Sequence, residues 1–214
     1  MTNLLINRIF DTPLGQVFCG LTTDSSDIQN IGVKEYENGQ SVSYKFGGYI
    51  VELVEFKIRL PLYNGETVKD SQGWIWRIEK IKDSSDNLIL SCVLKDYSEK
   101  VNFDTASGEN LDAIEASNNA WVLHIGSEDG EILNSRAQLN DWFPNRLKDK
   151  VDFEHSITTI LKDGLETEIP TLQTGEQIHI QFLIAYDKKS SESVNTWLAV
   201  EEYKRNLENW IGIW

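Results

Sequence analysis

Three histidines, His124, His155 and His179, are the residues of this chain best suited to a transition metal, and each falls in a stretch that reads as a strand. Neutral imidazoles joined by a carboxylate such as Glu154 would form a ligand set for zinc or iron. Such a site needs shared geometry, and the spacing supplies none: there is no His-x-His pair and no His-Glu-x-x-His. Nucleophilic catalysis has less support still. The chain has no Gly-x-Ser-x-Gly, and neither Cys19 nor Cys92 has a histidine close in sequence. Neither common Gly-rich phosphate loop is present. The pairs Asp152/Glu154 and Glu166/Glu168 alternate along strands, which is the spacing of a solvated face rather than of an acid/base pair. Two loops, beginning Asp24-Ser-Ser-Asp27 and Asp83-Ser-Ser-Asp86, cluster oxygen ligands but lack the glycine and distal glutamate of an EF-hand Ca²⁺ loop. Asx and Ser turns account for them without a metal.

Glu55-Phe56-Lys57 is a Glu-x-Lys pair on one strand face, with Asp27 available as an upstream acid. In metal-dependent nucleases of the restriction-enzyme type, two carboxylates hold Mg²⁺ while such a lysine helps to orient the attacking water. The pattern is short, no helix is readable ahead of the first strands, and the charge of the chain is a poor match to DNA. No family is recognised from it.

Aromatic residues are the better clue to a binding surface. Trp142-Phe143-Pro144 is expected in a loop, and Trp210 and Trp214 lie in the last five residues. Exposed tryptophan stacks on sugars or anchors protein interfaces. Trp210 shares the apolar stripe of a helix and reads as core, which leaves Trp142, Phe143 and Trp214 as the candidate binding residues.

Charge is the most skewed property. Thirty-four acidic residues against 20 basic ones give a net charge of −14. That surface repels phosphate backbones and anionic membranes, so neither nucleic acid nor membrane is expected as a partner; it suits solubility, or a basic protein partner. Cys19 and Cys92 both sit in apolar stretches and are expected as buried free thiols in a reducing compartment. With no signal-peptide pattern and no long apolar run, the reading is a soluble, cytoplasmic protein without a cofactor.

The elements that would position these residues are mostly strands. The segment from Tyr49 to Leu60 places Ile50, Val54, Phe56, Ile58 and Leu60 on one face, while the other is apolar at Tyr49, Val51 and Leu53 and charged at Glu55, Lys57 and Arg59. That pattern fits a strand covered on both sides in its first half. Residues 1–97 read as successive hairpins, with Asn38-Gly39 marking one turn. Residues 98–119 read as a polar connection with a helical turn near Asn110–Ser117. Val151–Ile160 reads as a strand. Val200, Tyr203, Leu207, Trp210 and Trp214 follow helical spacing, with Asn195 or Thr196 as cap and Gly212 as stop.

The expected fold is therefore mainly β: an antiparallel β-sandwich or barrel of about ten strands with a C-terminal amphipathic helix. Residues 1–214 form one compact β-rich domain in this reading, or two packed halves, 1–104 and 105–214. Three function classes follow. The first is a non-catalytic binding protein whose acidic surface engages a protein partner, as an adaptor, inhibitor or immunity-like neutraliser. The second is a sandwich or barrel that binds a small ligand or carbohydrate. The third is a metal-dependent enzyme using the histidines or Glu55/Lys57.

Overall fold

The computed structural model describes residues 4–25, 27–58, 66–152, 154–190 and 194–213. In chain order the elements are β1 (Leu4–Thr12), β2 (Gly15–Thr23), β3 (Gln29–Tyr36), β4 (Gly39–Phe46), β5 (Tyr49–Phe56), β6 (Asp70–Lys80), β7 (Leu88–Lys95), β8 (Asn102–Thr105), β9 (Leu111–Ser117) and β10 (Trp121–Glu128). Then come α1 (Gly130–Leu139), a 3₁₀ helix (Asn145–Lys150), β11 (Thr158–Ile160), β12 (Gly164–Glu168), β13 (Gln177–Lys188), α2 (Asn195–Val200) and α3 (Lys204–Ile211). All strand pairs are antiparallel, in a five-stranded sheet β1-β2-β7-β12-β11 and an eight-stranded sheet β3-β4-β5-β6-β13-β10-β9-β8. The arrangement is a sandwich rather than a closed barrel, with thirteen strands among the described residues against the ten expected.

Period-two alternation explains how the layers stack. Tyr49, Val51 and Leu53 of β5, Trp74, Trp76 and Ile78 of β6, and Ile180, Phe182 and Ile184 of β13 face the smaller sheet, where Val17, Leu21, Leu90 and Leu94 meet them. The opposite face of the same strands carries Val54, Phe56, Ile75, Leu183 and Ala185. These pack against Leu198, Val200, Leu207 and Ile211 of α2 and α3, which form a third layer. Full burial of a residue such as Leu207 or Ile75 contributes about 1.5–3 kcal/mol. The expectation for the Tyr49 strand, apolar cover on both sides, therefore holds, and its end beyond Ile58 lies outside the described residues.

Three expectations are corrected. Residues 98–119 are not a helical connection: they form β8 and β9, with Leu111 and Ala113 buried toward the helices and Ile114 and Ala116 toward the other sheet. Val151–Ile160 is a strand only at Thr158–Ile160, and Val151 is buried without belonging to a ladder. The C-terminal helix is two helices. Residues Glu201–Tyr203 interrupt it, and neither Asn195 nor Thr196 acts as its cap, since Thr196 instead bonds His124. Gly212 does end α3, in a left-handed conformation at φ 84° that glycine adopts without strain.

The β3 edge is unlike the others in its exposure. Every residue of β3 from Gln29 to Glu35 is exposed, including Ile31 and Val33. The smaller sheet stops short of it, at the point where Arg8 of β1 reaches Glu55 (2.6 Å) and Tyr44 (3.2 Å) on β5 and β4. No helix among the described residues is long and apolar enough to cross a membrane.

Candidate functional site

An open cleft lies where the β3–β4 hairpin turn meets the end of β5 and the last turn of α3. It has a volume of about 490 Å³, within the usual range of ligand pockets, and its polar lining includes Glu35, Glu37, Gln40, Glu55 and Lys57. Tyr36 and Trp210 supply aromatic surface. Hydrogen bonds hold these walls in place. The Asn38 side chain donates to the Trp210 carbonyl (2.8 Å), the Asn38 amide donates to the Ile211 carbonyl (3.3 Å), and the Trp210 indole donates to the Lys57 carbonyl (3.3 Å). The tight turn consists of Glu37 and Asn38, so Gly39 enters the strand instead of occupying the turn centre. A β-carbon at Gly39 would meet the Glu55 carbonyl at 2.9 Å, which is why that position favours glycine.

The charges of the cleft are unequal in their satisfaction. Glu55 is committed to Arg8, and Lys57 to Asp70 (3.1 Å) with its ammonium over the Phe10 ring. Glu35 and Glu37 are exposed and have no ion-pair or hydrogen-bond partner for their carboxylates among the described residues. The cleft thus presents two carboxylates without a partner beside Trp210 and beside Tyr36, whose ring carries the Lys34 ammonium at 4.5 Å.

Behind it lies a buried polar network between the large sheet and α3. The Tyr36 hydroxyl donates to Glu52 (2.8 Å), as does Ser41 (2.7 Å), and Glu52 faces Arg77 at 3.5 Å. Arg77 donates to Glu208 (2.8 Å), which also accepts from Lys204 (3.0 Å), and Lys204 reaches Asp141 (2.7 Å). Beside these, Arg136 of α1 pairs with Glu128 and donates to the carbonyls of His179 and Trp142 (3.1 Å each). Burial, first, raises the pKa of both Tyr36 and Glu128; the Glu52 carboxylate adds to the rise at Tyr36, while Arg136 opposes it at Glu128. This network joins the helices to the sheet and is buried deepest at Arg136 and Glu128, while the Asp141 side chain is 43% exposed.

The sequence-predicted residues do not gather in one place. Phe143 is 1% exposed and belongs to the core, because the Trp142 backbone turns at φ 50° and sends the next side chain inward. Trp142 is half-buried under the Arg77 guanidinium, 4.6 Å from the ring centre. Trp214 lies outside the described residues. Trp210, read as core, packs partly on the helix-side core and partly lines the cleft. His155 sits in an exposed loop bonded to Asp152 (2.8 Å) rather than in a strand. His124 and His179 are buried in neighbouring strands, with His124 opposite Ala185, six residues along β13 from His179. Among the described residues no group of three or more His, Cys, Asp or Glu is gathered as a metal would require. Asp27 precedes the end of β3 that pairs with Lys45 of β4, and Lys45 in turn pairs with Ile50, which is about 16 Å along β5 from Glu55. Sequence reasoning missed Glu35 and Glu37; the signal was two acids bracketing an aromatic residue at a hairpin turn. Comparisons with family models, with curated proteins and with solved structures find no match for this chain.

Proposed function

We propose that this protein is a non-catalytic binding protein that engages a basic protein partner, as an adaptor, inhibitor or immunity-like neutraliser, with the cleft taking a lysine or arginine side chain of that partner. The supporting observation is the pairing of Glu35 and Glu37, both without a partner among the described residues, with the aromatic surface of Trp210, the Tyr36 ring beside it already carrying the Lys34 ammonium. Carboxylates attract a guanidinium or ammonium, and an aromatic face adds a cation–π contact while covering the apolar stem of the cation. The net charge of −14 extends the same attraction to long range and speeds encounter with a basic surface.

The test is titration with a tetra-arginine peptide, followed by tryptophan fluorescence in the wild type and in Trp210→Phe. The expected result is a change that is lost in Trp210→Phe, weakens as salt rises, and needs about fivefold more peptide in a Glu35→Gln/Glu37→Gln variant. Titration curves identical in the wild type and the double glutamine variant would overturn the reading. A second reading, a small ligand or carbohydrate in the same cleft, draws on the same Trp210 surface, which can stack on a sugar ring while the carboxylates accept its hydroxyl groups. Salt-independent quenching by a neutral trisaccharide, with no response to the peptide, would favour it.

A further inference from the structure

We infer that the free edge of β3 takes up an extended segment of the basic partner as an added strand, with a lysine or arginine of that segment entering the neighbouring cleft. This rests on the cleft reading above and extends it to the mode of recognition. Among the described residues β3 pairs only with β4, and it is exposed on both faces. Tyr36 and Gly39 close a two-residue turn, so they exchange hydrogen bonds, and alternation assigns Lys34 and Gly32 to the same inward set. The main-chain groups of Val33 and Glu35 therefore face the open edge.

Those same two residues set the chemistry of the occupant. Val33 is 63% exposed, and Glu35 lines the cleft from the same face of the strand. An added strand lays its alternate side chains directly beside them, so it needs an apolar residue next to Val33 and a basic one next to Glu35, two positions apart. A long basic side chain at the second position reaches Glu37 as well. Lys34 lies on the other face of the strand, where its ammonium already covers the Tyr36 ring at 4.5 Å, so the aromatic partner left for the incoming cation is Trp210. Main-chain bonds would supply affinity, and the acid-lined cleft the specificity, as in other complexes formed by strand addition. The register shift between Asn30 and Gly32 limits the open ladder to the half of β3 next to the cleft.

The probe is the capped peptide Thr-Val-Thr-Lys-Thr-Val-Thr, whose valines and lysine share one strand face in either direction. Two further versions carry N-methyl groups on its even or its odd backbone amides. Binding to the full chain is expected to slow hydrogen exchange at the Val33 and Glu35 amides. One methylated version should lose about tenfold or more in affinity while the other keeps it, since only alternate amides join the ladder. Val33→Pro, whose lost N–H faces the open edge and not β4, should abolish binding with the fold intact; Val33→Lys, which adds a charge to that edge, should weaken it as well. If both methylated versions bind equally and Val33→Pro is neutral while Glu35→Gln/Glu37→Gln still weakens binding, strand addition is overturned and the cleft reading stands. Binding indifferent to the two glutamates overturns both. Concentration-dependent dimerisation abolished by Val33→Pro would mean that a second copy occupies the edge, which also overturns the inference.

Discussion

At the scale of single residues, buried ionisable groups give the protein an opposed pair of pH responses. His179 is 0% exposed, and burial first, then the charges of Arg136, Lys204 and Arg77, hold its imidazole well below the usual pKa. Burial likewise pushes His124 down to about 4, with Glu115 opposing the shift. In the unfolded chain a histidine takes up its proton near pH 6.5. Between about pH 6.5 and 4 the unfolded state therefore binds more protons than the folded one, and stability falls as the pH is lowered through that window. His124→Asn should remove part of this slope, on the order of 2 kcal/mol between pH 7 and pH 4, measured by urea unfolding at each pH. Asp112 behaves in the opposite sense. Burial raises its pKa to about 6, Ser156 lowers it through a hydrogen bond, and Asp129 raises it. Here the folded state binds the extra proton between about pH 4 and 6, so stability contributed by the neutral acid is lost as pH rises through 6. Asp112→Asn should stabilise the protein at pH 7.5 by on the order of 1 kcal/mol after allowance for solvent screening, and should change little at pH 4. A stabilisation equal at both pH values would refute this account.

At the scale of elements, α1 and α3 are tied to the large sheet by charges as well as by apolar contacts. Arg136 and Glu128 are both almost fully buried, so removing one leaves the other without its counter-charge. Arg136→Met alone is expected to destabilise by about 3–5 kcal/mol, whereas Arg136→Met combined with Glu128→Leu should cost clearly less, because the stranded carboxylate is gone. Equal losses in the single and double variants would show that packing, not charge pairing, holds α1. The same elements show which patterns could be read in advance. Strands with one clear alternation, such as β6, β7 and β13, were legible, as was the glycine stop of α3. β9 was not, because it is short and its apolar residues Leu111, Ala113, Ile114 and Ala116 mimic helical spacing. The break at Glu201–Tyr203 was hidden for a related reason: Val200 and Leu207 are buried on both sides of it, so the apolar spacing runs through, although Tyr203 itself is exposed.

At the scale of the whole molecule, the excess of acidic side chains sets up repulsion that salt screens. Raising ionic strength from roughly 20 to roughly 200 mM should raise the melting temperature while weakening capture of tetra-arginine. Opposite signs for folding and binding are what the net charge of −14 requires if repulsion within the chain and attraction to the peptide are both electrostatic. A melting temperature that falls with salt would indicate that the ion pairs outweigh the repulsion.

Composition and periodicity by themselves determined that this chain is acidic, mainly β, antiparallel and closed by C-terminal helical structure. They also placed Cys19 and Cys92 in the interior, where the two lie directly opposite each other in β2 and β7 as free thiols. Those properties are local: they follow from side-chain type and from spacings of two or three to four residues. Tertiary structure decided everything that depends on residues distant in sequence. It buried Phe143, separated the histidines, and committed Glu55 to Arg8, 47 residues away. It also brought the turn at Glu37–Asn38 against α3, where Asn38 meets Trp210 across 172 residues and the acidic cleft opens. A cleft of this kind arises from sheet order and from where one sheet stops short of the other, and side-chain periodicity along a single strand carries no record of either.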